Sequence, residues 1–143
     1  MRLEGKTALI TGGGAGIGAA IAEVFTAEGA KVCITGRREN VLAETAAALP
    51  PGCVLICAGD VGDCDDAQRM VETALEFNGT LDILVNNAAI DTAGSVVDID
   101  PDLWRRMIET NLTGPFLMMK YAIPHMIEAG GGSIVNVASL AGI

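Results

Sequence analysis

The sequence predicts an open, doubly wound α/β domain: a parallel sheet with helices on both faces. Three observations carry that expectation. Short apolar runs alternate with longer stretches of helical period. The runs are almost continuously apolar, as strands covered on both faces require. A glycine-rich turn joins the first run to the first helical stretch. The chain has 143 residues, 50% of them hydrophobic, which suits a single domain over 1–143 with a real core.

The expected strands are Thr7–Thr11, Lys31–Thr35, Val54–Ala58, Ile83–Asn86 and Ser133–Val137. Between the first two, Ile17, Ile21, Val24 and Phe25 recur at helical spacing and predict a helix over Ile17–Glu28. Val41, Leu42, Thr45 and Leu49 predict another over Val41–Leu49. Asp63 reads as the N-cap of a helix through Phe77. Asp100-Pro101 combines a cap with proline at the first helical position, starting a helix through about Asn111. A separate helix follows over about Pro115–Ala129, bent by Pro124 and ended by Gly130–Gly132. The order is β-α-β-α-β-α-β-α-β, and ligands of such folds bind outside the carboxyl ends of the strands.

Charge and composition narrow the function. Eighteen acidic residues against nine basic give −9, which repels phosphate backbones and argues against a nucleic-acid partner. No apolar stretch reaches the ~20 residues of a membrane span, and "MRLEGKTALI" lacks the apolar core of a signal peptide, so the expected compartment is the cytoplasm. Cys33, Cys53, Cys57 and Cys64 form no CxxC pair; with one histidine, His125, no metal site is expected, and the thiols read as buried and reduced. His125 itself reads as helix surface or interface.

The stretch "TGGGAGIG", Thr11 to Gly18, places five glycines in eight positions after the first strand. A linker, a tight turn and a cradle for a ligand compete. The linker fails because the glycines lie between a strand and a helix. A bare turn needs fewer glycines, so the expectation is a cradle at the helix amino terminus, where unpaired N–H groups and the helix dipole favour a pyrophosphate. From the first glycine the spacing is Gly12-x-x-x-Gly16-x-Gly18; a GxGxxA register of the ordinary Rossmann kind exists only two residues later, at Gly14, Gly16 and Ala19.

"TGGGAGIG" resembles the TGxxxGIG signature of the short-chain dehydrogenases/reductases. "DILVNNAAI" resembles the family's NNAG segment, with Ala89 replacing the usual glycine. "IETNLTGPF" is similar to the segment around its catalytic asparagine, and "GGSIVNVASLAG" to the strand that delivers its catalytic serine. The four occur in family order, over the whole chain. The resemblance implies a Rossmann-type fold that breaks off after the fifth strand.

It also implies residue roles. Gly12, Gly14, Gly16 and Gly18 would cradle the cofactor, with Ile17 packing nearby. Asp60 and Val61 would contact the adenine, Asp60 by bonding the adenine's amino group; the plainer alternative is that Asp60 caps a strand end. Asn86, Asn87, Ala88 and Ala89 would close the floor beside the adenosine ribose, or tie neighbouring strands, or both. Ser139 would hydrogen-bond the substrate carbonyl or hydroxyl, and Asn111 would hold a water of a proton relay.

Cofactor choice is read from "CITGRREN". NAD-binding sheets place an acidic residue at the end of the second strand to hold the ribose hydroxyls, about 20 residues beyond the glycines. Gly36 stands there, followed by Arg37 and Arg38. A guanidinium binds a 2′-phosphate bidentately whereas a carboxylate repels it, so NADP is expected over NAD; a solvated basic helix start is the alternative.

The family's general acid/base is a tyrosine in a YxxxK motif about a dozen residues past the serine, where an i, i+4 lysine shares its helix face and lowers its pKa. The 143 residues contain no YxxxK: Lys120 precedes Tyr121, and His125 stands four residues after it. The resemblance thus reads as the amino-terminal part of an NADP-dependent oxidoreductase, inactive by itself, acting on a small carbonyl or alcohol and forming homodimers or homotetramers at full length. A non-catalytic dinucleotide-binding module is the alternative.

Overall fold

The computed structural model describes residues 1–139. Five parallel strands form one sheet: β1 (Thr7–Thr11), β2 (Lys31–Gly36), β3 (Val54–Ala58), β4 (Ile83–Asn86) and β5 (Ser133–Asn136), in the order β3-β2-β1-β4-β5. The chain winds outward from β1 through β2 to β3, then crosses back to lay β4 on the other side of β1. That reversal creates the crevice in which doubly wound sheets bind ligands.

Helices α1 (Gly16–Ala27) and α2 (Glu39–Ala47) cover one face; α3 (Cys64–Leu75) and α5 (Gly114–Glu128) cover the other. The pleat assigns each strand residue to a core. Ala8, Ile10, Val32, Ile34 and Val85 pack toward α1 and α2, whereas Leu9, Cys33, Cys57 and Leu84 pack toward α3 and α5. All five residues of β1 are buried, which explains the unbroken apolar run. Asp63 caps α3 as expected, its carboxylate accepting the Asp65 and Asp66 N–H groups. Asp100 caps α4 (Pro101–Ile108) through the Asp102 and Leu103 N–H groups.

The separate helices expected after Pro101 are corrected by the structure. Helix α4 continues through a π-turn, Glu109–Thr113, directly into α5. A π-turn inserts one extra residue into the helix. It also suits Pro115, which lacks the N–H that a continuous α-helix would bond to the Asn111 carbonyl. Helix α5 runs through Pro124 to Glu128, just before the expected stop at Gly130–Gly132. Among the described residues no helix is long and apolar enough to cross a membrane.

Candidate functional site

A cavity of about 290 Å³ opens at the carboxyl edge of the sheet, above β1. One wall is the turn at Gly12, Gly14 and Ala15. A second is the end of β2 and the start of α2, with Gly36, Arg37, Arg38, Val41 and Leu42. Gly59, Asp60 and Val61 beyond β3 form the third. Asn87 to Ile90 beyond β4 and Thr110 of the π-turn close it. Four consecutive strand ends, β3-β2-β1-β4, thus reach one cavity across the switch point, although they lie far apart in sequence.

Thr11 organises the floor. Its hydroxyl oxygen accepts the N–H groups of Asn87 (3.0 Å) and Ala88 (2.9 Å), while its own proton goes to the Val85 carbonyl (3.4 Å). The Asn87 amide donates to the carbonyls of Thr11 (3.0 Å) and Gly12 (3.3 Å). Asn86 donates to Asn136 across to β5 (2.9 Å). The asparagines therefore tie strands, while Asn87, Ala88 and Ala89 also line the cavity.

Packing and backbone conformation account for the glycines more fully than the sequence argument allows. A Cβ on Gly18 would lie 2.2 Å from the Gly12 carbonyl oxygen, and one on Gly13 would lie 2.6 Å from Ile34. Gly12 and Gly16 have φ of +66° and +54°, the left-handed region that favours glycine. The premise that five glycines exceed the demands of geometry is thus overturned: the turn folds under α1 so tightly that four of the five are required by space or by φ. Gly14 is the least constrained, a Cβ there meeting Val41 at 3.2 Å, and its carbonyl accepts the Thr45 hydroxyl at 2.8 Å.

Of the residues expected at the cofactor, Gly12, Gly14, Arg37, Arg38, Asp60, Val61, Asn87, Ala88 and Ala89 line the cavity. Gly16 and Ile17 are exposed on the first turn of α1, outside its lining, and Gly18 is buried against Gly12. The amides of that first turn have no partner within the helix, by helix geometry. Arg37 and Arg38 are exposed and form no ion pair among the described residues. Asp60 accepts the Gly62 N–H (2.9 Å), so one carboxylate oxygen closes its own turn.

Asn111 sits inside the π-turn, and its side chain is committed. Oδ1 accepts the Ile90 N–H at 2.9 Å and Nδ2 donates to the Ile90 carbonyl at 2.8 Å. The amide clamps the strand-end loop to the helix, so a water at Asn111 has to be met by its backbone or by what lone-pair capacity Oδ1 retains. Ser139 is exposed beyond the carboxyl end of β5. Leu140 to Ile143, the end of the serine-bearing segment, lie outside the described residues. Sequence reading missed Ala15, Val41, Leu42, Ile90 and Thr110 as lining residues. Thr110 and Ile90 border motifs that were found, but Val41 and Leu42 carry no signal other than helical periodicity.

The family model described as short chain dehydrogenase matches residues 6–143. A trans-4-hydroxycyclohexanecarboxylate dehydrogenase of Sinomonas cyclohexanicum is 46% identical, over 99% of this chain and 58% of its own. A meso-2,3-butanediol dehydrogenase of Serratia marcescens is 37% identical, over 100% of this chain and 57% of its own. The crystal structure of a short chain dehydrogenase from Bacillus anthracis str. 'Ames Ancestor' superposes with a TM-score of 0.87 at 37% identity, covering 92% of this chain and 56% of that one. The chain thus spans somewhat more than half the length of the relatives it matches. Matched by the family model over nearly its whole length and superposing on a solved member, this chain belongs to the short-chain dehydrogenases, oxidoreductases that bind NAD or NADP.

Proposed function

We propose that the cavity takes the adenosine half of NADP in preference to NAD. The carrying observation is the pair Arg37 and Arg38, which line the cavity with no ion-pair partner among the described residues, beside a glycine at position 36 where a ribose-binding carboxylate would stand. A guanidinium fork complements a 2′-phosphate in both charge and geometry. The residues fit a dinucleotide in other respects: the wall at Gly12 and Gly14 has no side chains to hold a phosphate off, and Asp60 keeps a second carboxylate oxygen for an amino group.

When bound, the nicotinamide would supply the hydride chemistry for a carbonyl or secondary alcohol carbon, and the residues of this chain would hold and orient it. Ser139 donates a hydrogen bond to the substrate oxygen, and Asn111 holds the loop at Ile90 and orders a water beside it. The general acid/base is not among these 143 residues, whose single tyrosine, Tyr121, is followed at i+4 by His125. Relatives named for a hydroxycyclohexanecarboxylate, a butanediol and sorbitol support an alcohol or its carbonyl as substrate. Four unpaired cysteines suit the reducing cytoplasm. The exposed apolar side chains of α4 and α5 suit association with a second copy of the chain.

Dissociation constants for NADPH and NADH test the cofactor reading. NADPH should bind more tightly. Gly36→Asp with Arg37→Ala should invert the order, because it adds a ribose ligand and removes a phosphate ligand. Tighter NADH binding by the unaltered protein would overturn the NADP assignment. Carbonyl-dependent NADPH oxidation that is lost in Ser139→Ala, with NADPH affinity retained, separates the enzyme from a non-catalytic dinucleotide-binding module.

A further inference from the structure

Asp66 and Arg69 lie one turn apart on α3, and neither lines the cavity. Both nevertheless reach the cavity wall that follows β3. Asp66 Oδ2 accepts the Asp60 N–H at 2.8 Å, and Asp66 Oδ1 pairs with Arg69 Nη2. Arg69 Nη1 donates to the Ala58 carbonyl (3.0 Å) and lies 3.1 Å from Cys57 Sγ. A Cβ on Gly59 would meet Asp66 Oδ2 at 2.7 Å, so the carboxylate fills the volume in which a side chain at position 59 would sit. From Cys57 to Asp60, each residue is held by this pair through a thiol, a carbonyl, a close approach or an amide.

The grip falls where the sheet stops supplying partners. Pairing between β2 and β3 ends at Gly36 and Ala58, and the Gly59 N–H makes one last bond to the Gly36 carbonyl at 3.0 Å. Beyond it the backbone at Asp60 has no strand beside it, and a partly buried N–H must be satisfied from elsewhere. A carboxylate acceptor that is itself paired with a guanidinium satisfies it with a charge-assisted hydrogen bond, stronger than one to a neutral acceptor.

We infer that Asp66 and Arg69 are positioning residues for the adenine end of the dinucleotide, acting through the backbone of Gly59 and Asp60. The inference rests on reading the cavity as a dinucleotide site and adds two residues of α3 to it. Asp60 can present its carboxylate to the nucleotide only while its own peptide is held. The same carboxylate accepts the Gly62 N–H at 2.9 Å through Oδ1, so a shift of the Asp60 peptide disturbs its turn and its nucleotide contact together.

The test is titration calorimetry on the full-length protein, with ADP as the adenosine-half probe, nicotinamide mononucleotide as the other half, and NADPH. Asp66→Ala should weaken ADP and NADPH about tenfold, the scale of one charge-assisted hydrogen bond, and leave nicotinamide mononucleotide unchanged. Asp66→Asn keeps an acceptor for the Asp60 N–H and should recover most of the loss. Arg69→Gln removes the Ala58 contact and should weaken ADP in the same direction; Arg69 is half exposed, so this variant carries the test if Asp66→Ala does not fold. Unchanged ADP affinity in folded variants overturns the inference, as does a parallel loss for both half-cofactors, which marks general loosening. Wild-type protein that binds neither ADP nor NADPH overturns the reading of the cavity as well, whereas wild-type binding with indifferent variants overturns the positioning role alone.

Discussion

At the scale of the residue, the glycine turn separates two kinds of constraint. At Gly18 the obstacle is a backbone oxygen 2.2 Å from where a Cβ would go, and backbone cannot move aside cheaply. At Gly16 nothing lies within 4 Å, and the only demand is φ of +54°. Gly18→Ala should therefore cost about 3 kcal/mol or prevent folding, as overpacking in a tight core does. Gly16→Ala should cost only about 1–2 kcal/mol, the penalty of the left-handed conformation. Chemical denaturation of the two variants measures the difference. Equal losses would mean that the turn is not as tightly packed as the Gly12–Gly18 approach requires. Neither glycine is interchangeable with the other, although the sequence writes them as one motif.

At the scale of the element, the π-turn explains how a helix can serve a site at the sheet edge. A regular α-helix from Pro101 to Glu128 would carry no interruption; the wider turn at Glu109–Thr113 lets the Asn111 amide meet both polar atoms of the Ile90 backbone. The stretch from Ala88 to Ser95 has no helix or strand of its own to hold it, so this clamp is its main tie to α4 and α5. Asn111→Ala should release the Ile90 N–H and raise its hydrogen-exchange rate about tenfold or more, the equivalent of losing hydrogen bonds worth ~0.5–1.5 kcal/mol each. Amides in β1 should stay protected. An unaltered Ile90 exchange rate would show that the loop is held by something other than Asn111.

At the scale of the whole molecule, the two faces of the sheet differ in what they leave outside. The apolar side chains Leu112 (65% exposed), Phe116 (58%) and Ile127 (72%) stand on the continuous π-turn and α5, with Trp104 on α4. Large apolar side chains left exposed along one helix suit an association surface, and a second copy of the chain is the occupant that the proposed function assigns to them. Phe116→Glu combined with Ile127→Glu should then shift the full-length protein to a smaller species in sedimentation velocity, with its far-ultraviolet spectrum unchanged. A single unshifted species would remove α5 as the interface.

How much of this was legible depends on the range of the interaction. The order of strands and helices, the buried runs of β1 and β2 and the caps at Asp63 and Asp100 are local: each follows from the period of side chains along the chain or from one carboxylate meeting the next two amides. Arg37, Arg38, Asp60 and the Asn87 segment were legible as well, because motif position fixes which strand end carries them, and the sheet order then brings those ends to one cavity. Other features depend on what lies across a gap in space. The reason for Gly18 is the Gly12 carbonyl; the partner of the Asn111 amide in the π-turn is the Ile90 peptide, twenty-one residues away. The role of Asp66 is an amide at the end of the neighbouring strand. The sequence by itself determined the fold class, the family and the strand ends that form the site, since periodicity and motif spacing encode those directly. Only the tertiary structure decided which glycines yield to packing, where the helix widens and which side chains of α3 hold the wall, because close approach between distant backbones leaves no period in a sequence.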